Sequence, residues 1–191
     1  MYSREEILRI FKEKEVLLEG HFLLSSGRHA GFYLQCARLL QYPEVAGPLC
    51  AQLAQKFAGL GVTVVAGPAT GAIIISYEVA RALGVKSVFS ERENGRMCFR
   101  RGFEISPADK VLVVEDVVTT GGSGKEVIAA VQALGAQVVG AGAIADRSGG
   151  KVDMGVPLKS LITLEIESFL PEECPLCAGG SQAVKPGSKQ F

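Results

Sequence analysis

The chain has 191 residues, and its 20 lysines and arginines balance its 20 aspartates and glutamates, so the formal net charge is zero. This balance offers no basic field to nucleic acid or to an anionic membrane, and the length suits a single domain with a sizeable core. The charged N-terminus lacks the apolar centre of a signal peptide and the apolar runs are too short to span a bilayer, so we expect a cytoplasmic protein.

Local patterns predict helices and strands that alternate along the chain. Ser3 and Glu6 form a capping box for a first helix, and the polar break within 22–35 indicates a hairpin or irregular strands. The later patterns predict, in chain order, a helix from Pro43 to about 59, a strand over 62–66, a helix over 72–83, a strand over 85–89, a polar hairpin over 91–103, a strand over 111–114, a helix over 124–134, a strand over 138–145 and a half-exposed strand over 162–166.

Strands that alternate with helices predict an α/β fold, with one parallel sheet flanked by helices on both faces. We expect a small hood above the carboxyl edge of the strands, formed by about 20–36 and 146–170. The last stretch, about 171–191, is rich in Pro, Gly, Ser and Lys and is predicted to be loose.

A buried strand that ends in two acids is the most informative segment. Four apolar residues, 111–114, precede Glu115 and Asp116, and hydroxyls and glycines lead from there into a helix. Ligands of open α/β sheets bind beyond the carboxyl ends of strands, where small residues and a helix N-terminus favour a phosphate. Carboxylates there can accept hydrogen bonds from a ribose diol, directly or through a hydrated Mg²⁺. Ser123 and Glu126 alternatively fit a simple capping box, which explains neither the two acids nor the two threonines.

The segment 115–123 resembles the phosphoribosyl-pyrophosphate (PRPP) motif of the type I phosphoribosyltransferases, and the resemblance extends over about 20–166. Within that family the chain is most similar to the members that act on orotate. The resemblance implies Mg²⁺-dependent transfer of ribose 5-phosphate from PRPP to orotate in pyrimidine biosynthesis, with catalytic roles for Glu115, Asp116 and Arg92. It implies that PRPP is bound by Glu115, Asp116, Val117, Val118, Thr119, Thr120, Gly121, Gly122, Ser123, Arg92, Ala69 and Thr70.

Two further segments complete the implied site. The small residues of 67–71 form a turn after another predicted strand, and the resemblance makes this turn the pyrophosphate loop. Arg147 follows a predicted strand end and is assigned by the resemblance to the orotate carboxylate, which suits a bidentate guanidinium. Thr119, Phe32 and Tyr33 are also implied to contact orotate, although the two aromatic side chains fit the core of the hood equally well.

Four arginines and two glutamates crowd the segment 91–101. Its composition fits an exposed, charge-balanced hairpin as well as it fits a cationic flap that closes over pyrophosphate. Related enzymes usually carry Arg-Lys after this strand, then a loop lysine and histidine, whereas this chain has Glu91 and Arg92 and a loop with neither residue. Arg96 and Arg100 are the candidates to replace the lysine. In the family the flap completes a neighbouring subunit's site, so a homodimer is implied.

Three alternative functions stay open. A transferase for another nucleobase would keep the acidic motif, although Arg147 favours an acidic pyrimidine over a purine. A non-catalytic PRPP-sensing module would fit the missing loop lysine, but the chain shows no basic face for DNA. The third is a metal-binding interaction protein built on the C-x-x-C pair Cys174 and Cys177.

The cysteines themselves give a weak signal. Five occur in the chain, and an odd number in a protein of this size argues against a disulfide scaffold. One C-x-x-C supplies two of the four ligands of a usual structural zinc site, and His21 and His29 lie far away in sequence. A reduced tail, a redox pair and a metal site shared across a dimer therefore stay open.

Overall fold

The structure, a computed structural model, describes residues 1–24 and 26–186. The helices of these residues are α1 (Arg4–Glu13), α2 (Ala37–Leu40), α3 (Pro43–Gln55), α4 (Ile73–Leu83), α5 (Gly122–Ala133) and α6 (Pro175–Ala178). The strands are β1 (Leu17–Leu23), β2 (His29–Leu34), β3 (Val64–Pro68), β4 (Lys86–Glu93), β5 (Arg96–Phe99), β6 (Lys110–Val118), β7 (Gln137–Asp146), β8 (Leu158–Thr163) and β9 (Ser168–Phe169). Among these helices, none combines the length and the apolar character needed to cross a membrane.

Two sheets organise the fold. The larger has the order β5-β4-β3-β6-β7-β8, and all its neighbouring strands are parallel except the β4–β5 hairpin at one edge. The smaller sheet, which we call the hood, has the order β1-β2-β9 and is antiparallel. The α/β fold class predicted from the sequence is confirmed, and β6 lies in the middle of the larger sheet.

Helices cover both faces of the larger sheet because its central strands are apolar on both sides. Successive residues of a strand point to opposite faces. On β6, Leu112 and Val114 belong to the core cluster that contains the buried residues of α3 and α4, whereas Val111 and Val113 belong to the cluster with α5. This alternation without polar positions is typical of a parallel strand buried on both faces.

Helix ends agree with the sequence in two places and differ in a third. Ser3 and Glu6 form the predicted capping box of α1, and α4 ends at Gly84, whose φ of 71° is left-handed. The first residue before α5 is Gly121, and no side chain caps this helix. The interpretation of Ser123 as a helix cap is therefore wrong, which leaves its hydroxyl exposed on the first turn.

The C-terminal part of the chain corrects the predicted hood and tail. The half-exposed strand expected over 162–166 is β8, Leu158–Thr163, and it pairs with β7 in the larger sheet. Only β9 of the segment 146–170 therefore joins the hood. Beyond it, a 3-10 turn over Pro171–Glu173, α6 and a parallel bridge between Val184 and Phe22 order the chain through residue 186. The rest of the predicted loose tail, 187–191, lies outside the described residues.

Candidate active site

The acidic pair lies inside β6, near its C-terminal end, because the strand continues to Val118 instead of ending at Val114. Glu115 is only 9% exposed, and its carboxylate faces the first turn of α5, where the Gly124 backbone N–H donates to it. Asp116 points to the other face of the sheet, where its Oδ1 accepts from the Val117 backbone N–H at 2.8 Å. Both carboxylates therefore stand at the carboxyl edge of the central strand, as the sequence predicts.

Burial governs the electrostatics of this pair. Removal from water, reinforced by the negative charge of Asp116, raises the pKa of Glu115 to about 8, although the Gly124 N–H opposes the rise. Burial also raises the pKa of Asp116, against the backbone hydrogen bond from Val117. Among the described residues no cation pairs with either carboxyl, and two such neighbouring carboxyls cannot both ionise cheaply. The pair is therefore suited to a ligand that brings hydroxyl donors or positive charge.

Two glycines let the surrounding backbone approach the carboxyls. A Cβ on Gly71 would lie 3.0 Å from Asp116 Oδ2, and a Cβ on Gly124 would lie 3.1 Å from Glu115 Oε1. Gly71 ends the turn that follows β3, so this turn packs directly against the Asp116 carboxyl. The two turns expected to bind anions thus meet at the acidic pair.

A cavity of about 740 Å³ opens above these strand ends, between the larger sheet and the hood. Its lining includes six residues of the predicted site, namely Asp116, Val117, Thr119, Thr120, Arg147 and Tyr33. Tyr33 comes from β2 of the hood and packs against Phe22, with ring centroids 5.8 Å apart. The cavity is therefore polar at the sheet and partly aromatic at the hood.

A rigid loop presents Arg147 to this cavity. The Asp146 carboxylate, 3% exposed, accepts from the backbone N–H of Ser148 at 2.8 Å, from its hydroxyl at 2.6 Å and from the N–H of Gly150 at 3.1 Å. The backbone N–H of Arg147 donates to the Val118 carbonyl at 2.8 Å, which connects the loop to the end of β6. Burial lowers the pKa of Arg147. A bound anion would offset that cost of desolvation.

Some predicted residues lie elsewhere. Phe32 is 40% exposed and does not line the cavity, because it neighbours Tyr33 on the same strand and so points to the opposite face. The Ala69 N–H donates to the Ser90 carbonyl at 2.8 Å, and the peptide between Ala69 and Thr70 is cis. The remaining small residues of the motif, Gly122 and Ser123, are exposed at the N-terminus of α5.

The arginine-rich segment forms the predicted hairpin, β4 and β5, with Asn94 and Gly95 at its tip in left-handed conformations. Arg92 Nη2 lies 2.7 Å from Glu126 of α5. Two other arginines also pair with glutamates, Arg101 with Glu91 at 2.7 Å and Arg100 with Glu93 at 3.2 Å. Within the described part of the chain, Arg96 is the flap arginine that has no acidic partner.

The cavity also contains residues that the sequence did not indicate. Arg28, directly before β2, donates from Nε to the Ser168 hydroxyl at 2.9 Å and contacts the carbonyl of the same residue, which links the start of β2 to β9. Buried Cys36 lines the cavity beside Asp116, and burial raises the pKa of its thiol well above the ordinary value. Lys185 and Pro186 reach the rim from the C-terminal segment, for which composition gave no signal.

A parallel sheet whose central strand ends in an acidic pair beside a hooded cavity is the architecture of a phosphoribosyltransferase. The model of the phosphoribosyl transferase domain matches residues 38–174. The orotate phosphoribosyltransferase of Pelotomaculum thermopropionicum is 56% identical over 189 residues, which cover 99% of this chain and 100% of the relative. That of Caldicellulosiruptor bescii is 56% identical over 188 residues, or 98% and 99% of the two chains. This chain belongs to the orotate phosphoribosyltransferase family.

A solved structure shows the same fold. The crystal structure of orotate phosphoribosyltransferase from Aeropyrum pernix superposes with a TM-score of 0.68 at 29% identity, covering 83% of this chain and 94% of that one. The similarity to the family that was inferred from the PRPP motif is therefore confirmed.

Proposed function

We propose that this protein transfers ribose 5-phosphate from PRPP to orotate, giving orotidine 5′-phosphate and pyrophosphate in pyrimidine biosynthesis. The observation that carries the proposal is the buried acidic pair at the end of β6, whose Asp116 lines one cavity with Arg147. The carboxyls fit the hydroxyls of a ribose, and the arginine fits a planar carboxylate. Membership of the orotate phosphoribosyltransferase family supports both assignments.

In this proposal the donor lies across the carboxyl edge of the larger sheet. Glu115 and Asp116 accept hydrogen bonds from the two ribose hydroxyls. The hydroxyls and backbone N–H groups of 119–123, together with the N-terminus of α5, hold the 5-phosphate. The pyrophosphate occupies the turn of 67–71, including Ala69 and Thr70, because this turn reaches the ribose site through Gly71.

Orotate lies on the hood side of the ribose. Arg147 binds its carboxylate through two parallel hydrogen bonds, and Tyr33 and Thr119 bound the ring. A ring nitrogen of orotate forms the new bond to the anomeric carbon while the bond to pyrophosphate breaks. The electron pair leaves with pyrophosphate, and the proton of the ring nitrogen passes to an oxygen of the departing pyrophosphate. The positive charge that develops on the ribose is stabilised by the nearby Asp116 carboxylate, so no covalent nucleophile is required.

The donor set of the site fits Mg²⁺. Carboxylate oxygens are its preferred protein ligands, and Mg²⁺ keeps most of its waters when it bridges protein to phosphates. Glu115 and Asp116 would hold it through water and the ribose hydroxyls, and it would supply charge neutralisation for the pyrophosphate. Since a cation favours ionised carboxyls, it would also lower the raised pKa values of the pair.

The flap is proposed to act across a homodimer. Arg96 is the flap residue that we assign to the pyrophosphate, because the other arginines of the hairpin are engaged with glutamates. Arg92 has an alternative role at the base of the flap, where its ion pair with Glu126 fixes the hairpin to α5. The cytoplasmic location expected from the sequence stays a prediction.

A pyrophosphate-release assay tests the proposal directly. The purified chain is given PRPP, Mg²⁺ and, one at a time, orotate, uracil, adenine, hypoxanthine and guanine. We expect turnover with orotate only. Turnover with a purine and none with orotate would overturn the assignment of the base. PRPP binding without turnover on any base would instead favour a sensing module.

The variant Asp116→Asn tests the central residue. The amide keeps the size and one acceptor oxygen but loses the charge that stabilises the ribosyl cation. We expect the variant to unfold at the same urea concentration as the native chain and to lose at least about a hundredfold in kcat, typical of a removed electrostatic contact. Retained activity would remove Asp116 from the mechanism.

A further inference from the structure

Four metal-ligating side chains converge at the hood, and none of them lines the cavity that contains Asp116. His21 and His29 come from β1 and β2, and Cys174 and Cys177 flank the start of α6. Their ligand atoms all lie within 4.8 Å of one another. The sequence spacing suggested two ligands and two unrelated histidines, but the folded chain brings all four together. We propose that this cluster is a structural Zn²⁺ site, independent of the transferase reaction.

The distances fit a tetrahedral ion. With Zn–N near 2.0–2.1 Å and Zn–S near 2.3 Å, the edges of the tetrahedron would be about 3.3 Å between nitrogens and about 3.6 Å between nitrogen and sulfur. His21 Nε2 lies 3.0 Å from His29 Nδ1. Cys177 Sγ lies 3.8 Å from His21 Nε2 and 3.2 Å from His29 Nδ1, and Cys174 Sγ lies 3.5 Å from His21 Nε2. The cluster is therefore already close to the size of an occupied site.

The tautomer of His21 supports ligation over a simple network of hydrogen bonds. Its Nδ1 lies 3.1 Å from the Ser181 carbonyl oxygen, which can only accept, and 3.2 Å from the Ser181 hydroxyl, which can accept as well as donate. The tautomer with the hydrogen on Nδ1 satisfies the carbonyl contact, and we assign it to His21. This leaves Nε2 with one lone pair facing His29 Nδ1 and both sulfurs. One lone pair cannot accept from three donors, whereas a central cation would use it and a lone pair from each other group. A ring N–H donated to a backbone carbonyl is the usual support of a zinc-bound histidine.

A β-bulge aims His21 at the cysteines. The pairing of β1 with β2 runs from Glu19 opposite Phe32 to Phe22 opposite Ala30, so Gly20 and His21 together face one residue. Such bulges redirect a side chain. His21 and His29 are only 6% and 8% exposed and Cys174 is 2% exposed, so the site has little access to solvent. Two imidazoles and two thiolates in a closed site select Zn²⁺ over Mg²⁺ or Ca²⁺.

The metal would fasten the C-terminal segment to the hood. Around the cluster, the Val184 N–H donates to the His21 carbonyl at 2.9 Å, and the Leu23 N–H donates to the Val184 carbonyl at 2.9 Å. Lys185 and Pro186 follow directly and line the cavity. The zinc site therefore holds in place the part of the chain that completes the rim of the cavity.

Metal analysis of the whole chain, purified without a histidine tag or chelator, tests the proposal. We expect one zinc ion per chain, lost in Cys177→Ser and in His29→Ala and retained in the matched thiol control Cys98→Ser. Cys98 lies on the flap, with its Sγ 3.5 Å from the Glu91 carbonyl oxygen. The substitution Cys98→Ser therefore removes a thiol without touching the cluster. Equal zinc in Cys177→Ser and in the native chain would overturn the site.

Cobalt substitution keeps the proposal testable if the ligand variants do not fold. Reduced, zinc-depleted native chain is titrated with Co²⁺ alone. We expect the visible bands of tetrahedral cobalt with thiolate ligands, saturating at one equivalent and bleached by Zn²⁺. A native chain that is isolated without zinc and gives no such bands, or that carries a Cys174–Cys177 disulfide under reducing purification, refutes the proposal. None of these results depends on transferase activity.

Discussion

The pH dependence of stability tests whether Glu115 is held uncharged in the ligand-free protein. Its pKa in the folded chain is about 8, against an ordinary value of 4.5. Between these values the folded chain binds more protons than the unfolded chain, so stability falls as pH rises. The stabilisation is fully present below the pKa of Glu115 in the unfolded chain, and it is lost as the pH rises through the pKa of Glu115 in the folded chain. One differential proton changes the free energy of unfolding by about 1.4 kcal/mol per pH unit, or about 2 kcal/mol between about pH 6 and 7.5.

The variant Glu115→Gln removes this titration while it keeps an acceptor for the Gly124 N–H. Urea unfolding is followed at several pH values, and the midpoints are converted with a common slope. We expect the native chain to lose about 2 kcal/mol more than the variant over that interval. Glu13→Gln, on the exposed face of α1, removes a carboxylate elsewhere and should keep the native slope. Parallel profiles for Glu115→Gln and the native chain would show that the carboxyl is ionised without ligand.

Three further predictions concern the proposed substrate site. Arg147→Lys should raise the KM for orotate about tenfold or more while the KM for PRPP changes little, because lysine keeps the charge but loses the bidentate contact; equal changes in both KM values would contradict this role. Gly71→Ala should lower kcat/KM for PRPP about tenfold, since its Cβ at 3.0 Å displaces Asp116, and unchanged kinetics would separate the turn from the carboxyl. Arg96→Ala should lower kcat more than Arg100→Ala, whose side chain is paired with Glu93 at 3.2 Å, and the reverse order would reassign the flap cation.

The sheet and its acidic edge could be predicted because local sequence determines them. An unbroken run of apolar residues requires a strand buried on both faces, and Glu115 and Asp116 follow that run directly. The end of the strand was less predictable: β6 continues through the acids to Val118, because pairing with β7 extends to Asp146. This extension of the strand decides that Glu115 faces α5 and that Asp116 faces the turn after β3. Local propensity does not show how far the strand extends.

The hood could be predicted only in outline. Phe32 and Tyr33 are adjacent on β2, so at most one of them can face the cavity, and the pattern of the hairpin does not say which. The structure places Tyr33 there. The cluster of His21, His29 and the two cysteines was missed for a related reason. Its assembly needs a bulge in the β1–β2 hairpin and the return of the chain to the hood after β9, and the sequence pattern reports neither.

These differences separate the site into two parts with different physical origins. The sheet supplies carboxyls, turns and a helix N-terminus, each from a strand and the turn or helix that follows it directly, and these groups fit the phosphorylated ribose. The hood supplies Tyr33 and the C-terminal rim through contacts between distant segments. If Zn²⁺ fastens that rim, its removal should weaken the binding of orotate more than that of PRPP, because the groups that contact the ribose do not depend on the hood. Equal loss of both affinities in zinc-depleted protein, measured by calorimetry with Mg²⁺ present, would show that sheet and hood form one cooperative unit.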